Sequence, residues 1–495
     1  MSRPAAPAGA ESATKPSAGR VEVRSIDYVP LAERHGKAWH LGPVWIMATA
    51  TVASVAIGLI GVAAGANLFW SLAGIVLGSL FGTFFSAFHS AQGPQLGLPQ
   101  MVQSRPQFGY RGAVLVWVFV LISYIGYNVF AGALGGDTLQ NVVGGSSKAW
   151  APVVVGAALL LAVFGYDSIH RLSRWLLALF LVAYAFFSVA AITTFDLPDG
   201  ALDPGRFSWL PFLLQFAVSA GYLISWAPYV SDYSRYLPPD VGVRSTFLWT
   251  YLGMALSSIW LLSLGALIAQ AFTDLGPIET IRTAGDAIFP GFGATALLVA
   301  LPGLIIVIAL NLYGASLTLL AIVDSFKPVR PTARVRLTAV LSVSVVGLAL
   351  QYALPPDFLT AIGTFLVFLL YFFGPWTAIN LVDFFVVRKG HYSIREIFNP
   401  HGMYGRWSRP GLAAYLIGFA ASVPFQSTAI YTGPIAKALD GIDVAHFVGI
   451  AASGIAYWFL TRSLDLEAER DRIAEADLGL EDLAKAHANP NDSPQ

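Results

Sequence analysis

The chain of 495 residues contains no cysteine, which excludes disulfides and thiolate metal sites. It is also poor in charge. Asp, Glu, Lys and Arg make up 12% of it, about half of the ~25% usual in soluble proteins. The 29 basic and 29 acidic residues cancel, and zero net charge argues against a nucleic-acid partner. The H-E-x-x-H and G-x-S-x-G patterns are missing; "GASLT", Gly314 to Thr318, lacks the final glycine. His40 and His89 stand near the ends of apolar runs, far apart in sequence. These gaps leave an enzyme, a metal centre and a bound cofactor without support. No repeated filter sequence or charge ring suggests a channel.

What is present is apolar length. Hydrophobic residues reach 56% and the mean hydropathy is +0.64. No Asp, Glu, Lys or Arg occurs from Ala38 through Ser104, a window that fits two spans of about 20 residues. Twelve apolar runs are predicted as spans, at 40–63, 68–92, 112–135, 149–166, 173–194, 209–231, 245–272, 291–323, 337–353, 358–386, 411–432 and 443–461. Each is expected to be helical, because lipid cannot satisfy an open backbone. The fold class is therefore an all-α polytopic membrane protein.

Charge placement supports the count. With the N-terminus inside, alternate loops hold Arg105, Arg111, Arg171, Arg174, Arg235, Arg244, Lys327, Arg330, Arg334, Arg336, Arg388, Lys389, Arg395, Arg406 and Arg409. The opposite loops hold only Lys148, Arg206, Arg282 and Lys437, with Asp196, Asp199, Asp203, Asp274, Glu279 and Asp286 among their acidic residues. This is the positive-inside pattern. It predicts a plasma-membrane protein (inner membrane in a Gram-negative source) with both termini cytoplasmic. Residues 1–37 read as a disordered tail, 38–462 as the transmembrane domain and 463–495 as an acidic, solvated, helix-prone tail.

Polar residues within the spans mark candidate contacts. In span six, Gly221 and Pro228 bracket Ser225 and Trp226. Either a simple proline kink or a break lining a cavity fits that pattern. In span three, Ser123 and Tyr127 lie four apart, as do Tyr124 and Asn128, so they share a helical face. That face suits either helix packing or stacking of a planar ring. In span eight, Asn311, Gly314 and Thr318 form a small polar face. Span one carries Thr49, Thr51 and Ser54 without a proline. Asp232, Asp324 and Asp383 fall near one set of span ends, each expected as an interfacial charge paired with a nearby arginine, Asp232 with Arg235. A neutral, polar and aromatic interior suits a neutral substrate.

Three stretches carry a family resemblance: "GPQLGLPQMVQSRPQFGYRG", "GYLISWAPYVSDYSRYLP" and "GPWTAINLVDFFVVRKGHYSI". In that order, at those places, the chain resembles the nucleobase:cation symporter-1 family and its purine–cytosine permease branch over roughly residues 30–460. The resemblance implies a 5+5 inverted-repeat (LeuT-like) fold with spans one and six broken and spans eleven and twelve appended. It implies a secondary transporter importing a nucleobase or related planar heterocycle, with an allantoin, hydantoin, vitamin-like or amino-acid transporter on the same fold as the alternative. Substrate contacts are implied at Thr51 within an unwound Thr49–Ala53, at Ser123, Tyr124 and Tyr127, at Tyr222, Ser225 and Trp226, and at Asn311. Sodium-coupled relatives place hydroxyls on span eight just before the amide. Here that segment, Gly303 to Leu310, reads "GLIIVIAL" and has no side-chain oxygen. H+ is accordingly expected as the coupling cation ahead of Na+, with no carboxylate in the spans offering itself as proton carrier.

Overall fold

The computed structural model describes residues 27–164, 166–327, 329 and 332–481. The expected tail up to residue 26, Arg330 and everything beyond residue 481 lie outside them. The described residues form helices, with one isolated bridge between Ser427 and Thr432.

All twelve expected positions hold a helix. Span one is α1 (Leu41–Thr49) with α2 (Val52–Gly58), and span two is α3 (Leu68–Ser90). Spans three to five are α4 (Val114–Val143), α5 (Ser147–Phe164) and α6 (Tyr166–Thr194). Span six is α7 (Trp209–Ile224) with α8 (Val230–Ser234), and span seven is α9 (Val243–Ala271). A helix absent from the sequence reading, α10 (Pro277–Ile288), precedes α11 (Phe292–Asp324), α12 (Ala333–Tyr352) and α13 (Phe358–Val382), which are spans eight to ten. Spans eleven and twelve are α14 (Arg409–Ser422) and α15 (Ala445–Leu460), followed by α16 (Leu466–Ala476). Seven helices among the described residues are individually long and apolar enough to cross a membrane, or eight with the bent pair of span one.

The packing repeats. Span one packs on seven as six packs on two; three on four as eight on nine; eight on four as three on nine; eight on five as three on ten. Exchanging span n for span n+5 therefore maps one set of contacts onto the other. Five is an odd number, so the second copy enters the membrane from the opposite face, which makes the repeat inverted. Spans eleven and twelve pack on each other and on ten, outside this symmetry.

Small residues set the helix spacing. Gly74, Gly78 and Gly82 on α3 form one stripe. A Cβ on Gly78 would lie 2.2 Å from the Phe216 carbonyl oxygen of α7, and one on Gly82 would lie 2.4 Å from that of Ala220. Gly58 and Gly265 do the same for α2 and α9. Lipid gives no hydrophobic drive between helices, so such close backbone approach supplies the cohesion.

Several expectations need correction. Span eleven ends near Ser422, because Pro424 starts a turn that leaves Gln426 extended. Within residues 28–37, expected as part of a disordered tail, Val29, Pro30 and Arg34 are buried, and Arg34 donates to the Val29 and Pro94 carbonyls at 2.9 and 2.7 Å. The acidic tail helix α16 is docked rather than simply solvated. Its Glu469 accepts from Arg388 Nε at 2.6 Å, and beyond it Asp477 accepts from Ser393 Oγ at 2.8 Å and the Ile394 N–H at 2.9 Å. Asp383 is paired with Arg388 at 2.6 Å as expected, and it is fully buried within the protein. The missed α10 carries an Arg282–Asp286 pair at 2.7 Å, and Asp286 also accepts the Gly291 and Gly293 N–H groups.

Candidate functional site

Both repeats break at the same relative place. In span one, Ala50 (ψ 79°) and extended Thr51 separate α1 from α2, and the two arms bend by 68°. The helix ladder is lost there and side chains replace it. Ser54 Oγ donates to the Thr49 carbonyl at 2.6 Å, and the Tyr222 hydroxyl reaches the same oxygen at 3.4 Å. Thr49 Oγ1 lies 2.6 Å from Ser257 Oγ on α9. In span six, Pro228 has no N–H to give the Ile224 carbonyl. Ala227 N–H bonds that oxygen at 2.9 Å instead, and Tyr229 N–H bonds the Trp226 carbonyl at 2.9 Å, so the chain turns before α8. Ser86 Oγ of α3 caps the Leu223 carbonyl at 2.7 Å. The alternative of an intact, merely kinked helix is thereby excluded. Gly221 has a different role from the one expected. It lies inside α7, where a Cβ would stand 2.2 Å from the Leu366 carbonyl oxygen of α13, so it is a packing glycine.

The α4 face meets this break. Tyr127 hydroxyl and Ser225 Oγ are 2.6 Å apart, and Ser225 Oγ also bonds the Tyr222 carbonyl at 2.7 Å. Ser123 Oγ and the Tyr229 hydroxyl are 2.6 Å apart. The Tyr124 and Tyr229 rings lie 4.8 Å apart at 44°. Tyr222 joins span one through Ser54 Oγ at 3.0 Å. Trp226 stands edge-on between Trp45, at 6.0 Å, and Tyr229, at 6.2 Å; its indole N–H is buried without a hydrogen-bond partner. Asn311 is half-buried on α11, one turn before Gly314, where a Cβ would lie 2.4 Å from the Tyr124 hydroxyl.

Seven of the eight expected residues thus gather at the two breaks: Thr51 by its place in the chain, Ser123, Tyr124, Tyr127, Tyr222, Ser225 and Trp226 by contacts. Asn311 joins them through the α4–α11 packing, without a direct hydrogen bond to the others. Tyr229 and Trp45 were missed. Tyr229 was legible as the first aromatic after the breaking proline; Trp45 carried no signal of its own. The ensemble offers ring faces, hydroxyls that can donate or accept, and a free indole donor, and no cluster of metal-binding side chains occurs among the described residues.

An inverted repeat with two broken spans facing each other, lined by neutral polar and aromatic groups, is an architecture that membrane transporters use to bind a solute. The comparisons with known proteins agree. A family model described as "Permease for cytosine/purines, uracil, thiamine, allantoin" matches residues 28–449. The chain belongs to this family, which is that of the nucleobase:cation symporters-1. It is 37% identical to the Bacillus subtilis (strain 168) protein YxlA, assigned as a purine-cytosine permease, over 90% of this chain and 96% of that one. It is 26% identical to the purine-cytosine permease fcyB of Emericella nidulans over 88% and 87% of the two chains. The inward-facing conformation of Mhp1 superposes with a TM-score of 0.72 at 18% identity, covering 90% of this chain and 97% of that one. Closed Mhp1 with bromovinylhydantoin bound gives 0.71, again at 18% identity, over 91% and 99%. At that identity the likeness concerns the fold.

Proposed function

We propose that this permease imports a nucleobase, cytosine or a purine, by alternating access in symport with H+. The observation that carries the substrate class is the buried, unpartnered Trp226 indole N–H beside the Ser225–Tyr127 pair. A planar heterocycle carries ring nitrogens or a carbonyl to take that proton, edge groups for the two hydroxyls, and faces for the surrounding tyrosines. The names of YxlA and fcyB support the same class. The absence of side-chain oxygens from Gly303 to Leu310 supports H+ over Na+, because sodium requires several oxygen ligands. Positive-inside loops support a plasma-membrane location with both termini cytoplasmic. Under that orientation residues 38–462 are the transporting domain, flanked by cytoplasmic tails.

Purified protein is expected to gain thermal stability with cytosine or adenine. At a ligand concentration one hundred times Kd the gain corresponds to about 2.7 kcal/mol. A shift with hydantoins, allantoin, a vitamin-like heterocycle or amino acids, and none with nucleobases, overturns the substrate class. Labelled-cytosine uptake is expected to persist without sodium and to collapse with a protonophore. Strict sodium dependence overturns the coupling.

A further inference from the structure

The three stretches that carry the family resemblance come from distant parts of the chain, yet they meet in one buried network at the basic end of the molecule. Ser231 Oγ of α8 donates to Gln100 Oε1 at 2.6 Å. Gln100 Nε2 donates to Gln92 Oε1 at 3.2 Å, and Gln92 Nε2 to Asn380 Oδ1 at 2.8 Å. Asn380 Nδ2 donates to Gln107 Oε1 at 3.4 Å, and Gln107 Nε2 to Asp383 Oδ2 at 2.7 Å. Ser231, Gln92, Gln100, Gln107, Asn380 and Asp383 are all buried. Asp383 also takes Arg388 at 2.6 Å, Tyr392 at 2.8 Å and Tyr457 at 2.9 Å, and Arg388 continues to Glu469 on α16.

The direction of this ladder follows from its end. An ionised carboxylate can only accept, so Gln107 must turn its NH2 toward Asp383 and its oxygen away. That oxygen faces the NH2 of Asn380, whose oxygen accepts from Gln92, whose oxygen in turn accepts from Gln100. Amides aligned head to tail polarise and strengthen one another in a low-dielectric setting. The Gln100 NH2 also points at His89 Nδ1, 2.9 Å away, which leaves the imidazole proton on Nε2 facing Thr377.

What the ladder holds is α8. This helix has five residues, too few to be stable alone. Pro228 has cut it from α7. It is anchored by side-chain bonds: Ser231 Oγ, whose single proton is shared between Gln100 Oε1 and the His89 carbonyl, Ser234 Oγ to the Ser90 carbonyl at 2.7 Å, and Asp232 accepting the Gln100 N–H at 3.0 Å. Gly93 gives it room, since a Cβ there would lie 2.1 Å from Ser234 Oγ.

We propose that Gln100, Gln107, Asn380 and Asp383 are positioning residues for transport. Through Ser231 they hold α8, and with it the Ser225–Tyr229 turn, in the arrangement closed on the basic side. Asp383 anchors the ladder, and the tail helix, through Glu469 and Arg388, fixes the anchor. Opening toward the basic side then requires the ladder to part.

The chain has no cysteine, so a single reporter can be placed at the buried turn residue as Ala227→Cys. Its alkylation by a membrane-impermeant maleimide is followed from each face of sealed vesicles of known sidedness. Gln107→Leu is expected to raise the rate from the basic face about tenfold, since a hydrogen bond to a charged group is lost. The rate from the other face is expected not to rise. Glu469→Gln, outside the spans and still able to accept from Arg388, is expected to raise it about threefold with the same sidedness. Unchanged rates in Glu469→Gln, or equal increases from both faces, overturn the proposal; equal increases would mean general loosening. Loss of substrate binding in the parent protein would count against the substrate reading and not against this one.

Discussion

Asn311→Ala and Ser225→Ala are expected to cut nucleobase uptake at low substrate by about ten- to a hundredfold, the range for deleting a hydrogen-bonding group from a desolvated site. The two should differ in their side effects. Ser225 Oγ is tied to the Tyr127 hydroxyl and to the Tyr222 carbonyl. Its removal strands a buried hydroxyl, so Ser225→Ala should lower thermal stability as well as affinity. Asn311 makes no direct hydrogen bond to that cluster, and alanine there should leave stability nearly unchanged. Binding to purified protein, melting temperature and surface expression separate the effects. Unchanged affinity in both variants would remove these residues from the site. Tyr127→Phe keeps the ring and drops the hydroxyl, so it tells stacking from hydrogen bonding at that position.

The second large effect concerns packing. Gly58→Ala and Gly265→Ala should each destabilise the protein by about 2–3 kcal/mol, as overpacking does. The added Cβ would lie 2.0 Å from the Leu262 carbonyl oxygen in the first case and 2.0 Å from that of Val55 in the second. Both atoms are backbone and cannot rotate away, so α2 and α9 must separate. Nothing lies within 4 Å of a Cβ on Gly303, in the middle of α11. There alanine relieves only the entropic cost of glycine, and Gly303→Ala should be neutral or stabilising by up to about 1 kcal/mol. Melting curves of the three variants test the contrast. A Gly303→Ala loss matching the other two would refute the close-approach account.

Much of the fold was legible because the bilayer enforces it. Apolar runs such as Phe292–Asp324 must be helices, and the arginine placement orders the spans. Pro228 marked span six as kinked or broken by its chemistry. The span-one break had no such mark. It arises because Ser54 and Tyr222 supply donors to the Thr49 carbonyl, and Tyr222 belongs to another span. The end of span eleven was misplaced because "STAIYTG" is apolar enough to pass for helix. α10 was missed because its charged residues read as a loop, although Arg282 and Asp286 lie four apart.

Composition and spacing alone determined that this is a polytopic membrane protein, and three stretches resembling one family pointed to a transporter and its substrate class. Those are local or cumulative properties, set by hydropathy, charge alternation and residue type. Only the tertiary structure decided what the stretches do together. Gln92, Gln100, Gln107, Asn380 and Asp383 look like scattered polar residues in the chain. They become a directed ladder only when helices from opposite ends of the sequence pack side by side. A hydrogen bond needs its partner within about 3 Å, and no one-dimensional spacing specifies that. Asp383 is the clearest instance: its arginine neighbour was readable five residues away, whereas its complete burial depends on Gln107, Tyr457 and the docked tail helix.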